Sequence, residues 1–89
     1  PKHMYNRYTN YKGEVMTTVY TKDNCVQCEA TKRMMDKIGI EYETVNISDN
    51  PAELDKLIEL GYRAAPVVVA GDGTSFAGFQ PDKITALAS

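Results

Sequence analysis

The chain has 89 residues, 43% of them hydrophobic and 25% charged, with a net charge of −2. That is room for one small domain, in an ordinary globular mix that argues against disorder along its whole length, with no basic stripe to favour nucleic acid. The longest apolar run, Ala64 to Ala70, contains Pro66 and falls far short of the ~18 residues a membrane span needs.

Residues 1–15 differ from the rest. They hold Tyr5, Tyr8 and Tyr11, two asparagines and almost no aliphatic side chains. Lys2, Arg7 and Lys12 against Glu14 leave this segment at +2, which places −4 on the remainder. No helix or strand period fits it. It is expected to be a tag remnant (His3-Met4 would suit one) or a flexible N-terminal extension ahead of a start at Met16, with a partner-binding arm as the sharper alternative. A single globular domain is expected over residues 16–89, as a monomer without internal repeats.

From Met16 the elements follow in order. Thr17 to Tyr20 is a short β-rich run, ended by Lys22-Asp23-Asn24. Val26 to Ile38 reads as a helix with an apolar stripe of Val26, Ala30, Met34 and Ile38, Met35 lying alongside. Gly39 can take the left-handed conformation that stops a helix. Tyr42 to Ile47 is a second strand. Asn50-Pro51 opens a second helix, with Asn50 as its cap and Leu54, Leu57 and Ile58 as its buried face. Gly61 ends it. Pro66 to Ala70 is a third strand, Gly71-Asp72-Gly73 a hairpin turn, and Thr74 to Ala77 a fourth strand. Pro81 to Leu87 is the last helix, with Ile84 and Leu87 facing inward.

The order β-α-β-α-β-β-α fixes an α/β architecture. The first β-α-β needs a parallel crossover, and the short turn after the third strand needs an antiparallel hairpin. One four-stranded mixed sheet with helices packed on it satisfies both. Phe76 is expected to pack under the last helix. Phe79 is expected to form an exposed docking patch, and Met34 and Met35 to fill the core.

Two cysteines, Cys25 and Cys28, cannot build a disulfide-dense secreted scaffold, and no signal-peptide pattern opens the sequence. A reducing, cytoplasmic setting is expected. The pair sits where the first strand hands over to the first helix. There, unpaired backbone N–H groups and the positive end of the helix dipole favour an anion, so a Cys25 thiolate is stabilised, and thiolate is the attacking form. Lys22 adds favourable charge and Asp23 opposes it. Cys28, one turn further and beside Met35, should be less exposed. Cys25 then attacks a substrate disulfide, and Cys28 resolves the mixed disulfide, leaving a redox-active Cys25–Cys28 disulfide.

A C-x-x-C pair has other uses. A structural zinc site wants four ligands, and the lone histidine is His3. A metal carrier of the copper-chaperone class also places C-x-x-C after its first strand, but in a β-α-β-β-α-β order that ends on a strand. Two ordinary core cysteines would not be expected at a helix start behind polar Asn24. A C-x-x-C beside a βαβ pattern reads as a redox motif. Ala65-Pro66 adds to this: with a cis bond, Pro66 could bring the Ala65 backbone close to Cys25, ready to pair with an extended substrate segment.

Val19-Tyr20-Thr21-Lys22, Cys25-Val26-Gln27-Cys28, Ala30-Thr31-Lys32-Arg33, Gly39-Ile40-Glu41-Tyr42, Ala65-Pro66-Val67-Val68-Val69 and Gly78-Phe79-x-Pro81-Asp82 together resemble the NrdH redoxins, glutaredoxin-like proteins with thioredoxin-like behaviour. The resemblance implies a thioredoxin/glutaredoxin-like fold and no bound cofactor. It further implies reduction by thioredoxin reductase and electron delivery to a class Ib ribonucleotide reductase. It makes Cys25 the nucleophile, Cys28 the resolving thiol and Pro66 a cis-proline. Val26, Gln27, Ala65, Pro66, Gly78 and Phe79 form the expected partner-binding set. Asp23 stands where that family often has proline, Phe76-Ala77 where it has a Trp-Ser pair, and Gln80 where arginine is frequent. The sequence lacks the Pro-Tyr between the cysteines and the Gly-Gly-x-Asp-Asp ending that help glutaredoxins hold glutathione. A protein reductase is therefore the expected electron source, with a glutathione-dependent glutaredoxin as the alternative and a metal-binding C-x-x-C module as the alternative of another class.

Overall fold

A computed structural model describes residues 16–71 and 73–88. The expectations for residues 1–15, and the Asp72 position of the hairpin turn, lie outside the described residues. The described chain runs β1 (Thr17–Thr21), α1 (Val26–Ile38), β2 (Tyr42–Asn46), α2 (Pro51–Glu59), β3 (Val67–Val69), β4 (Ser75–Ala77) and α3 (Pro81–Leu87). The sheet order is β2-β1-β3-β4. β1 and β2 are parallel, with Val19 opposite Thr44; β3 is antiparallel to both β1 and β4. The mixed sheet and the thioredoxin-like layout are as the sequence predicts. Strand ends differ by a residue or so, where pairing frays into loops.

Strand alternation gives the sheet two apolar faces. Val19 and Val68 point to one, with Met35, Phe76 and Ile84. Their chain neighbours Tyr20 and Val67 point to the other, with Val45, Ile47 and Leu57. Successive strand side chains alternate sides, so α1 and α3 cover one face and α2 the other. Each such fully buried aliphatic side chain contributes roughly 1.5–3 kcal/mol. Phe76 lies under α3 as expected, at 4% exposure.

Two predicted faces are corrected. The α1 stripe of Val26, Ala30, Met34 and Ile38 is not the buried one; α1 buries Cys28, Thr31 and Met35 instead. Val26 is 85% exposed and Ile38 is 37% exposed. A series of i+4 steps drifts about 40° per step at 3.6 residues per turn, so four such residues spiral off any one face. The spacing 28, 31, 35 stays on it. Thr31 is tolerated in the core because its hydroxyl donates to the Gln27 carbonyl, 2.9 Å away. In α2, Leu57 is buried and Leu54 partly so, but Ile58 is exposed and Glu53 takes the inward position. The Glu53 carboxylate meets the Lys56 ammonium at 3.2 Å, which partners its charge at the rim of the core.

Asn50 sits at the predicted cap position but makes no side-chain cap bond. Its amide donates to the Asn46 carbonyl at 2.8 Å, tying the loop rather than the helix. Gly39 ends α1 at φ +81°, its N–H bonded to the Asp36 carbonyl. Glycine takes that conformation without the Cβ clash other residues meet.

Tyr42, at the head of β2, donates its hydroxyl to Asp36 Oδ1 at 2.8 Å and so fastens β2 to α1. The phenol is pushed up from 10.0 to about 12, first by burial, then by the Asp36 hydrogen bond and the negative charges of Asp36 and Glu29. A raised folded pKa means that this stabilisation is complete below the unfolded value of 10.0 and is lost as pH climbs toward about 12. Over that window the unfolded chain gives up a proton that the folded one retains. Tyr42→Phe should therefore lose less stability than the natural chain between about pH 9 and about pH 11 in paired urea titrations. An equal loss in both would count against the coupling.

Candidate active site

The site is built at the carboxyl end of β1. Asn24 adopts φ +56°, a left-handed conformation that asparagine tolerates better than most residues. This turns the chain sharply enough to place Cys25 at the N-cap of α1, with φ −115° and ψ 103°. Cys25 Sγ accepts a hydrogen bond from the Cys28 backbone N–H at 3.1 Å, and the Cys25 carbonyl receives the Glu29 N–H at 3.2 Å. One of the donors that every helix start leaves unpaired is thereby directed at the sulfur.

Cys25 and Cys28 are joined as a disulfide, with Cα atoms 5.2 Å apart. Their surroundings differ. Cys28 is 1% exposed, whereas Cys25 is partly open to solvent. Cys25 lies in a cleft lined by Lys22, Asn24, Val26, Gln27 and Ala65. Lys22 brings positive charge to that wall. Asp23 is not on it: its carboxylate accepts from Asn46 Nδ2 at 2.9 Å, and its N–H donates to Ser48 Oγ at 3.2 Å. The charge expected to oppose a thiolate is thus engaged by Asn46 at the end of β2. Sequence reading missed this clasp between Asp23, Asn46 and Ser48; its only trace there is the polar run after the second strand.

The Ala65–Pro66 peptide is cis, Pro66 is buried, and Ala65 shares the cleft with Cys25. The Pro66 carbonyl accepts the Gly78 N–H at 2.8 Å. Among the described residues, no turn or loop backbone hydrogen bond involves the N–H or C=O of Ala65, and Ala65 borders the cleft that holds Cys25, an arrangement open to a strand-like partner. Gly78 has φ +81°. The next amide, of Phe79, donates to Gln27 Oε1 at 3.3 Å. Phe79 is 38% exposed and walls a separate groove with Ala30, Met34 and Ile38, rimmed by Arg33 and Lys37. The structure therefore brings Cys25, Val26, Gln27 and Ala65 into one cleft, sets Pro66 behind Ala65, and joins Gly78 and Phe79 to the group through hydrogen bonds. Arg63 is exposed and takes no part in lining the cleft.

Among the described residues, no group of three or more His, Cys, Asp or Glu side chains is placed to hold a metal ion, and no helix is long and apolar enough to cross a membrane. The described element order ends on a helix, unlike the β-α-β-β-α-β order of the copper-chaperone class. One open sulfur that accepts a helix N–H, backed by a buried second sulfur, is an arrangement for thiol–disulfide exchange.

Comparison with known proteins agrees. The Glutaredoxin family profile matches residues 17–74. The chain is similar to the glutaredoxin-like protein NrdH of Salmonella typhimurium, 51% identical over 70 residues that cover 79% of this chain and 85% of that protein. It is 41% identical to NrdH of Lactococcus lactis, over 82% of this chain and the whole of that one. Among solved structures it is similar to the glutaredoxin-like NrdH-redoxin of Escherichia coli, described by its thioredoxin-like activity profile. The TM-score is 0.77 at 44% identity, covering 82% of this chain and 95% of that one.

Proposed function

The chain belongs to the glutaredoxin family, among its NrdH glutaredoxin-like members, and is a thiol–disulfide oxidoreductase; on that premise we propose that it carries electrons from a thioredoxin reductase to a ribonucleotide reductase in the cytoplasm. The observation that carries the reading is the asymmetry of the pair: Cys25 Sγ is reachable and takes the Cys28 N–H, while Cys28 is closed off. In the reduced protein, the Cys25 thiolate attacks one sulfur of the target disulfide. A Cys25–target bond forms, the target S–S bond breaks, and the leaving sulfur takes a proton. Cys28 gives up its proton and attacks Cys25 Sγ, expelling the second target thiolate. Two electrons have passed to the target, and the Cys25–Cys28 disulfide remains to be reduced. The pair is itself the electron carrier, with no bound cofactor, and the protein acts as a monomer.

Val26, exposed beside the sulfur, and the main chain of Ala65 ahead of Pro66 are the first contacts of an extended partner segment. Gly78 and Phe79 supply its second wall. The electron source is read from the residues absent between and after the cysteines, and from the thioredoxin-like behaviour of the Escherichia coli relative. Insulin reduction driven side by side by NADPH with thioredoxin reductase and by glutathione with its reductase tests it. Sustained turnover is expected from the first and background from the second. The reverse pattern would make the protein a glutathione-dependent glutaredoxin.

A further inference from the structure

Gln27 stands between the two cysteines on the first turn of α1, and its side chain points across to another segment. Its Oε1 accepts the Phe79 N–H at 3.3 Å. The preceding amide, of Gly78, donates to the Pro66 carbonyl at 2.8 Å. Two consecutive amides of the loop between β4 and α3 are therefore tied to the two other segments of the site, the C-x-x-C turn and the cis-proline strand. Gly78 is favoured by its φ of +81° and not by crowding, since a Cβ there would make only an ordinary 3.6 Å contact with Gln27 Oε1. Beyond Phe79 the chain enters α3, where the Gln80 carbonyl accepts the Lys83 and Ile84 amides. Among the described residues, the Gln27 bond is the Phe79 amide's one tie to α1.

The helix face that begins at Gln27 continues through Ala30, Met34 and Ile38, at spacings of three and four residues that keep them in line. Those three and Phe79 are the apolar lining of the separate groove described above. Gln27 lines the Cys25 cleft and not this groove, but its Oε1 holds the backbone amide of the groove's Phe79 wall.

We propose that Gln27, expected from the sequence to touch a partner itself, is a positioning residue: its Oε1 holds the Phe79 amide, and so fixes the Phe79 wall against which the reductase docks. This rests on the reading above that a thioredoxin reductase is the electron source and that Gly78 and Phe79 form a wall for the partner segment. The bond requires only an acceptor oxygen at that reach. Loss of the acceptor weakens docking and leaves the exchange chemistry of the sulfurs in place.

The test compares the natural chain with Gln27→Ala and Gln27→Glu in two measurements. One is steady-state reduction by NADPH and a bacterial thioredoxin reductase; the other is hydrogen exchange of the Phe79 amide by NMR on the oxidised protein. Gln27→Ala should raise KM about three- to tenfold, the fold-change one lost hydrogen bond carries, with kcat within about twofold. It should speed Phe79 amide exchange by a similar factor. Gln27→Glu keeps an acceptor oxygen and should restore both. An unmoved Phe79 amide in Gln27→Ala would overturn the proposal. So would a Glu variant as poor as Ala in KM, which would mean that the carboxamide N–H₂ is read by the partner directly. If the natural chain is not reduced by the reductase at all, the carrier reading falls, and the amide measurement alone decides whether Gln27 positions the loop.

Discussion

Cys25→Ser should reduce NADPH-driven disulfide reduction to background, while Cys28→Ser should stop the reaction one step later. Exchange proceeds only through a sulfur anion, and a serine hydroxyl at the α1 N-cap, although it would accept the same Cys28 N–H, stays protonated and forms no disulfide. Cys28→Ser leaves the exposed sulfur in place and removes the group that expels the product. Intact-mass measurement of Cys28→Ser after mixing with a target disulfide should show one target molecule held per chain, released by dithiothreitol. The adduct should map to Cys25. A Cys25→Ser protein that still turned over through Cys28 alone would reverse the assignment, because it would require the 1%-exposed sulfur to be the one that meets partners.

Met35→Ala should cost about 2–5 kcal/mol, as removal of large buried aliphatic side chains generally does. Met35 is 0% exposed and packs between Val19 and Val68 of the sheet and Ile84 of α3. A domain of this size has roughly 4–11 kcal/mol in all. The substitution should thus remove a large share of it, and lower the melting midpoint by about 4–8 °C per kcal/mol. Val26→Ala, by contrast, should stay within about 0.5 kcal/mol, because that side chain is 85% exposed. Urea unfolding of both variants in the oxidised form decides which α1 face is buried. Comparable losses would return Val26 to the core.

That pair of variants also marks where the sequence was readable and where it was not. The bounds of α1, Val26–Ile38, follow from its composition and from Gly39 and are found unchanged. Its orientation is a matter of some tens of degrees about the helix axis, and a list of apolar residues four apart does not contain that. Likewise Ile58 and Glu53 exchange places in α2 because the sheet meets the 53–57 edge of a short helix, a choice made by packing and not by hydrophobicity. The redox pair and the mixed sheet were legible, since each depends on local spacing or on the order of elements, whereas the cis Ala65–Pro66 bond was expected only through the resemblance to the NrdH redoxins. The Asp23–Asn46 clasp and the Gln27–Phe79 bond were not. They join residues 23 and 52 positions apart, and nothing short of the folded chain brings their partners within reach.

The disulfide spans three residues within the start of one helix, and neither sheet face nor any other element is stitched by it. Opening the bond lengthens no loop between distant parts of the chain, so very little disorder is released on reduction. The two apolar layers that carry the structure are indifferent to the oxidation state of the sulfurs. The molecule can therefore be charged and discharged repeatedly with its frame at rest, and the work of each cycle is confined to a single helical turn.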